Sequence, residues 1–170
     1  GLCQTQRKVV FVCCKGVLDK KSKVRQAVGK ISDMSAYRYG ENSLASVVQN
    51  MAGDYVCSNN NLPLIKPISG CGTRLELGKD AGAERYAHVK KNWSIPYIFK
   101  EEDRCLIKYK NEDGIEIEPV WFASVLPMML INGFRAAIGT GWSSNFLSHD
   151  VMDVCEWLVN MLSWLEEGGD

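Results

Sequence analysis

Apolar residues recur at helical spacing along two early stretches and again near the end of the chain. Val24, Ala27, Val28 and Ile31 share one face of a helix, with Lys23, Arg25 and Lys30 on the others. Leu44, Val47, Val48 and Met51 form the stripe of a second helix over 42–52. The run "RKVVFVCCK" at 7–15 is ambiguous: its β-branched residues suit a strand, yet no turn residue separates it from "TQRK", which suits a buried helix. Val151, Val154, Leu158, Met161 and Leu165 form the seam of a terminal helix over 149–167, widened by Trp157 and Trp164 and capped by Ser148 or Asp150.

Between these helices the periodicity changes. "LPLIKPIS" after the turn-rich "CSNNN" predicts a short strand, and "RYAHVKK" a second one, the far side of a wing. "GCGTRLELGKDAGAE" between them reads as a glycine-rich loop. "CLIKYKNEDGIEIEPVWF" places two alternating runs around Asp113-Gly114, a hairpin signal. "INGFRAAIGTGWSS" reads as a further glycine-punctuated loop around Ile138. Helices with a basic middle member, followed by paired strands, suit a helix-turn-helix arrangement as well as a plain small bundle.

Composition narrows this little. At 170 residues, 46% hydrophobic and 24% charged, the chain can bury one substantial core. The longest apolar run, 121–131, contains a proline and is too short to span a bilayer. No secretory leader pattern is visible at the N-terminus. The seven cysteines are odd in number and show no C-x-x-C spacing, which argues against a disulfide framework or zinc site and for a reducing compartment. Charge is more informative than its zero sum. Residues 1–40 carry nine Lys/Arg against two acids (+7), 41–100 seven against five (+2), and 101–170 four against thirteen (−9). The first third is suited to a polyanion, or is simply a solvated basic face.

Most catalytic patterns are missing. Two histidines, His88 and His149, have no nucleophile elbow to serve, and no Walker A loop or paired-carboxylate metal motif occurs. What remains is Arg85-Tyr86. A phenol is a weak nucleophile with a pKa of about 10, but it can attack phosphate when cations stand beside it and its target. Read alone, the pair fits a surface strand, on which neighbours face opposite sides and Arg85 would not sit beside the Tyr86 ring.

Several stretches together resemble one family, the eukaryotic-type type IIA DNA topoisomerases. "GLCQTQRKVVF" resembles that family's G-L-K-P-x-Q-R-K-V-L-F. "KVRQAVGKISDMSAYRYGENSL" resembles a segment ending S-A-Y-H-H-G-E-x-S-L, and "GTRLELGKDAGAERY" resembles G-T-R-x-x-G-G-K-D-A-A-x-x-R-Y. "EPVWF" and "LPMMLINGFRAAIGTGWS" resemble E-P-E-W-Y and L-P-M-x-L-V-N-G-A-E-G-I-G-T-G-W-S. The ordered motifs cover residues 1–145, and the terminal helix fits the start of the family's tower.

The resemblance implies an α+β fold: a winged-helix DNA-binding domain over 1–100, then a β-hairpin and helix beginning a tower domain over 101–170. It implies that Tyr86 attacks a DNA phosphodiester to form a 5′-phosphotyrosine while Arg85 holds the scissile phosphate. Arg7, Lys8, Tyr39, Arg74 and Lys79 match DNA-binding positions, and Ile138 matches an isoleucine that wedges between base pairs. For the whole enzyme it implies Mg2+ and ATP, both held by Toprim and ATPase regions that precede this stretch, a homodimer, and a nuclear or cytoplasmic location. No cofactor is expected on this chain itself.

The departures are specific. Cys3 stands where the family has a DNA-contacting lysine, and Arg38 and Tyr39 replace the two histidines of Y-H-H-G-E. "NGFRAAIG" and the interval from Tyr37 to Tyr86 are each one residue longer than in the family. Two readings follow. One is a fragment that supplies the nucleophile for double-strand cleavage and religation, favoured by a first residue other than Met. The other is a diverged, inert module that binds DNA or associates with a topoisomerase.

Overall fold

The computed structural model describes residues 1–55 and 58–169, with the side chains of residues 135–139 outside the described set. Its first half is built around α1 (Gln4–Cys14), followed by β1 (Ser22–Lys23), α2 (Val24–Ser35), α3 (Glu41–Ala52), β2 (Ile65–Ser69) and β3 (His88–Lys91). The ambiguity at 7–15 resolves to helix. Lys8 to Cys13 are all buried, so α1 is covered on every side, and a strand's alternation would leave half of these apolar groups in water. Its first turn is closed by the Gln6 side chain, whose Oε1 accepts from the Cys3 N–H at 3.0 Å.

Helices α2 and α3 pack on α1 with the faces expected. Val24, Ala27, Val28 and Ile31 are buried, as are Leu44, Val48 and Met51, whereas Val47 is half-buried. Ala36 ends α2 in the left-handed region (φ 47°), reversing the chain over 36–40 into α3, which Gly40 caps. Strands β1, β3 and β2 form an antiparallel sheet in that order, with Ser22 opposite Val89 and Ile65 opposite Lys91. Three helices with one short strand before the second, then two strands joined by the long loop 70–87, are the elements expected of a winged helix.

The second half adds α4 (Ile95–Ile98), a 3-10 turn (Glu102–Leu106), the hairpin β4 (Tyr109–Glu112) and β5 (Ile115–Pro119), and α5 (Met128–Asn132). Asp113 and Gly114 both have positive φ (52° and 81°), the turn that matches strand twist in a two-residue hairpin. The expected loop at 131–144 is a second hairpin, β6 (Phe134–Gly139) and β7 (Trp142–Phe146), with Ile138 opposite Ser143. Its glycines mark the ends and the turn, so punctuation hid a strand pair rather than a loop. Helix α6 (Val151–Glu166) begins at Asp150, whose Oδ1 accepts from Met152 N–H at 2.8 Å. Only Val154 of its seam is fully buried, and Trp157, Trp164 and Leu165 are half exposed. Among the described residues no helix is long and apolar enough to cross a membrane.

Candidate active site

Arg85 and Tyr86 are not on a strand. They occupy a turn between the glycine loop and β3, with Tyr86 N–H donating to Ala83 O at 2.8 Å and Ala87 N–H to the same oxygen at 3.1 Å. Strand β3 begins only at His88: Val24 N–H still bonds Ala87 O in register with the β1–β3 pairing, but there β1 gives way to α2 and Ala87 N–H turns back to Ala83 O. The turn removes the opposite-face geometry of a strand. The Arg85 guanidinium lies over the Tyr86 ring, 5.2 Å from its centroid, within cation–π range.

This turn is fastened from three sides. The N-terminus of α2 lies against it: Val24 N–H donates to Ala87 O at 2.9 Å and Arg25 N–H to Glu84 O at 3.0 Å. Both N–H groups belong to the first helical turn and lack partners within their own helix. From α3, Gln49 Nε2 donates to Gly82 O at 2.9 Å. Gly82 N–H in turn donates to Gly70 O at 2.9 Å, joining the two ends of the loop. The backbone is fixed while the Tyr86 ring stays 68% exposed, a phenol held out to solvent on a rigid mount.

The loop before it is shaped by contacts of its own. Asp80 accepts from Thr73 N–H at 2.8 Å and from Thr73 Oγ1 at 2.7 Å, and these bonds hold its carboxyl below the usual carboxylate range. Gly78 has φ +80°, and a Cβ there would lie 2.2 Å from the Tyr55 hydroxyl. Arg74 and Lys79 are exposed on this loop.

The other expected residues divide. Tyr39 is 70% exposed in the α2–α3 reversal, its ring edge-on to Tyr37 at 5.5 Å. Arg38 beside it pairs with Glu112 of β4, with Nε donating at 2.7 Å. Arg7 is half-buried and donates to Leu2 O at 2.8 Å, while its Nε has no partner within the protein. Lys8 departs from expectation. It is 4% exposed and donates to Ser35 O and to Glu118 Oε2, the latter at 2.7 Å, so it serves the interior and not a DNA backbone. The side chain of Ile138 lies outside the described residues; its backbone is in β6.

Sequence reasoning missed Glu118. It is fully buried and also within 3.3 Å of Lys110 Nζ and 3.4 Å of Gln4 Nε2. Burial pushes its carboxyl up, but the bond and charge of Lys8, with the bonds from Lys110 and Gln4, prevail and hold it below the usual range. A lysine inside the apolar run of α1 was the available signal, since a buried cation requires a counter-charge. Also missed were Arg25 and Gln49, whose motif neighbours gave no hint that they fasten the tyrosine turn.

Fold and site together define a mixed helix-and-strand unit that mounts an exposed tyrosine under an arginine at the root of its long loop. Residues 1–167 match the family model for the A-type subunit of DNA gyrase/topoisomerase IV. The chain is 45% identical over 144 residues to DNA topoisomerase 2 of Arabidopsis thaliana, a match covering 85% of this chain and 10% of that protein. It is 37% identical over 161 residues to human DNA topoisomerase 2-beta, covering 95% of this chain and 10% of the relative. A crystal structure of the Plasmodium falciparum topoisomerase II DNA-binding, cleavage and re-ligation domain superposes with a TM-score of 0.87 at 40% identity, covering 94% of this chain and 22% of that one. The chain belongs to the type IIA DNA topoisomerase family, and it spans about a tenth of the length of the curated relatives it matches.

Proposed function

We propose that this chain supplies the nucleophile and part of the duplex-binding surface for transient DNA cleavage in a type II topoisomerase. The observation that carries this is the Tyr86 phenol, exposed on a turn pinned by α2 and α3 with Arg85 over its ring. Tyr86 Oη attacks a DNA phosphorus, the new O–P bond forms as the bond to the 3′ oxygen breaks, and the strand is held as a 5′-phosphotyrosine. The phenolic proton passes to solvent, which its exposure allows, and the leaving 3′ oxygen takes up a proton. Attack by that hydroxyl in reverse reseals the strand. Arg85 offers a planar cation to the phosphoryl oxygens as charge develops there. Arg74 and Lys79 on the wing loop and Tyr39 in the helix reversal position the duplex.

Residues 1–100 form the DNA-binding domain in this reading, and residues from 101 onward begin a tower. Magnesium and ATP belong to other regions of the full enzyme. Among the described residues no group of three His, Cys, Asp or Glu is placed to hold a metal ion. The working enzyme is a homodimer acting on duplex DNA inside the cell.

Mixing the chain with a matched Toprim partner, magnesium and a nicked duplex, then adding denaturant, tests the proposal. A covalent protein–DNA species is expected with the wild type and not with Tyr86→Phe. Arg85→Ala is expected to lower its rate of formation by about 10²–10³-fold, the effect of losing one donor to a developing oxyanion. A second reading, an inert DNA-binding module, draws on Cys3 and Tyr39 standing where the family has a lysine and a histidine. It predicts salt-sensitive DNA binding with no adduct from either protein.

A further inference from the structure

The side chains of the basic residues around the start of α2 have no role in the site described so far. Lys20, Lys21, Lys23, Arg25 and Lys30 are all exposed, and among the described residues none of them is in an ion pair. The nearby Asp19 carboxylate is engaged by Lys91. Unpaired like charges crowded on one surface repel one another, and a polyanion relieves that repulsion.

Their placement is continuous with Tyr86. Lys23 pairs with His88 in the sheet, two residues beyond the tyrosine. Arg25 N–H is bonded to Glu84 O, at the start of the tyrosine turn. One helical turn on from Arg25 lies Gly29, and beside it Lys30. Lys20, Lys21, Gln26, Gly29 and Lys30 line an open groove of about 710 Å³. A Cβ at Gly29 would meet nothing within 4 Å, so packing does not demand glycine there. Its absence leaves bare helix backbone at the groove, over which a phosphate strand can pass closely. Asp19, which lines the groove and is engaged by Lys91, with Asp33 and Glu84, are the acids along this path, three against the five cations and Arg85.

The geometry points to a phosphate track: Lys20, Lys21 and Lys30 bind the flank of the same duplex whose scissile phosphate lies at Tyr86. This rests on the reading of DNA at Tyr86, and it adds a surface that the tyrosine, the wing loop and the helix reversal do not include. The track binds phosphates and so carries no base preference. It makes affinity depend on duplex length beyond the cleavage position.

The test uses fluorescent duplexes of about one helical turn (~11 base pairs) and about three turns (~32 base pairs), with the wild-type chain and the triple variant Lys20→Ala, Lys21→Ala, Lys30→Ala. On the long duplex, losing three phosphate contacts lowers the slope of log affinity against log salt by about 2.7. Between ~50 and ~200 mM salt the wild type then loses about 40-fold more affinity than the variant. The short duplex is bound alike by both, and the charge-keeping variant Lys20→Arg, Lys21→Arg, Lys30→Arg restores the long-duplex slope. Equal slopes for wild type and alanine variant on the long duplex overturn the track. So does an equal loss on both lengths, which marks general charge and not a flank contact. If a polyglutamate peptide competes at these lysines while DNA length has no effect, the surface binds an acidic protein segment and the proposal is wrong. The tyrosine adduct assay is read separately, so failure of the track leaves the cleavage reading standing and failure of cleavage is visible on its own.

Discussion

Replacing Glu118 with alanine leaves the Lys8 ammonium in the interior with no carboxylate to meet it. The wild-type pair is close, at 2.7 Å, and both side chains are withdrawn from water, 5% and 0% exposed. Breaking a buried pair by removing one partner costs about 3–5 kcal/mol, because the remaining charge keeps its desolvation penalty. Lys110, 3.3 Å from the same carboxylate, is a third exposed and can turn to solvent, so it adds little to that cost. For a unit of this size the loss corresponds to a fall in Tm of about 6–20 °C. Thermal and urea unfolding of the wild type, Glu118→Ala, Lys8→Met and the double variant Lys8→Met, Glu118→Leu form the assay. The double variant is expected to recover most of the loss, since an apolar pair of similar volume replaces two costly charges. A Glu118→Ala protein within about 1 kcal/mol of the wild type would refute the reasoning, because a surface pair has only that worth.

The same carboxylate sets an acid limit. Its folded-state pKa lies below the unfolded value, so its contribution is complete above the ordinary glutamate range and disappears as pH falls through the folded value. Urea midpoints measured down from pH 6 should drop less steeply for Glu118→Gln than for the wild type. Gly78→Ala forces a side chain into a left-handed position and against the Tyr55 hydroxyl, costing about 1–2 kcal/mol and loosening the wing loop. Limited proteolysis within 70–87 should then speed up while α1–α3 stay protected. The buried Cys13 thiol is pushed well above its ordinary range by desolvation, whereas Cys105 is exposed. Mass spectrometry after mild alkylation should find Cys105 modified and Cys13 untouched until denaturant is added.

The helices were the most legible part of the fold, because α2 and α3 each expose one face and bury the other. The hairpin at Asp113-Gly114 was legible because positive φ at both positions leaves few other structures for that dipeptide. Alternation accounts for half of β5: Ile117 is buried and Glu116 exposed as it expects, but Ile115 is 64% exposed and Glu118 is buried. The counter-charge required by Lys8, 110 positions away in sequence, accounts for the burial of Glu118, and no local pattern contains it. Ordered motifs identified Tyr86 and Arg85 as a pair. Their geometry was not legible, because the strand begins later than its residue pattern suggests: its partner β1 gives way to α2 at Val24, and the α2 N–H groups that hold Glu84 O and Ala87 O are distant in sequence. Motif matching alone also put Lys8 on the DNA, since matching a residue type does not reveal the direction of a side chain.

The proposed chemistry joins the Tyr86 hydroxyl to a 5′ phosphate of DNA. Its most direct measurement is peptide mapping of the denatured complex, formed with a Toprim partner, magnesium and nicked duplexes labelled on either side of the break. A nucleotide-bearing peptide containing Tyr86 is expected, retaining the label on the 5′-phosphate side and absent from Tyr86→Phe. An adduct at another residue, or none from the wild type while a full-length relative cleaves the same duplex, would contradict it.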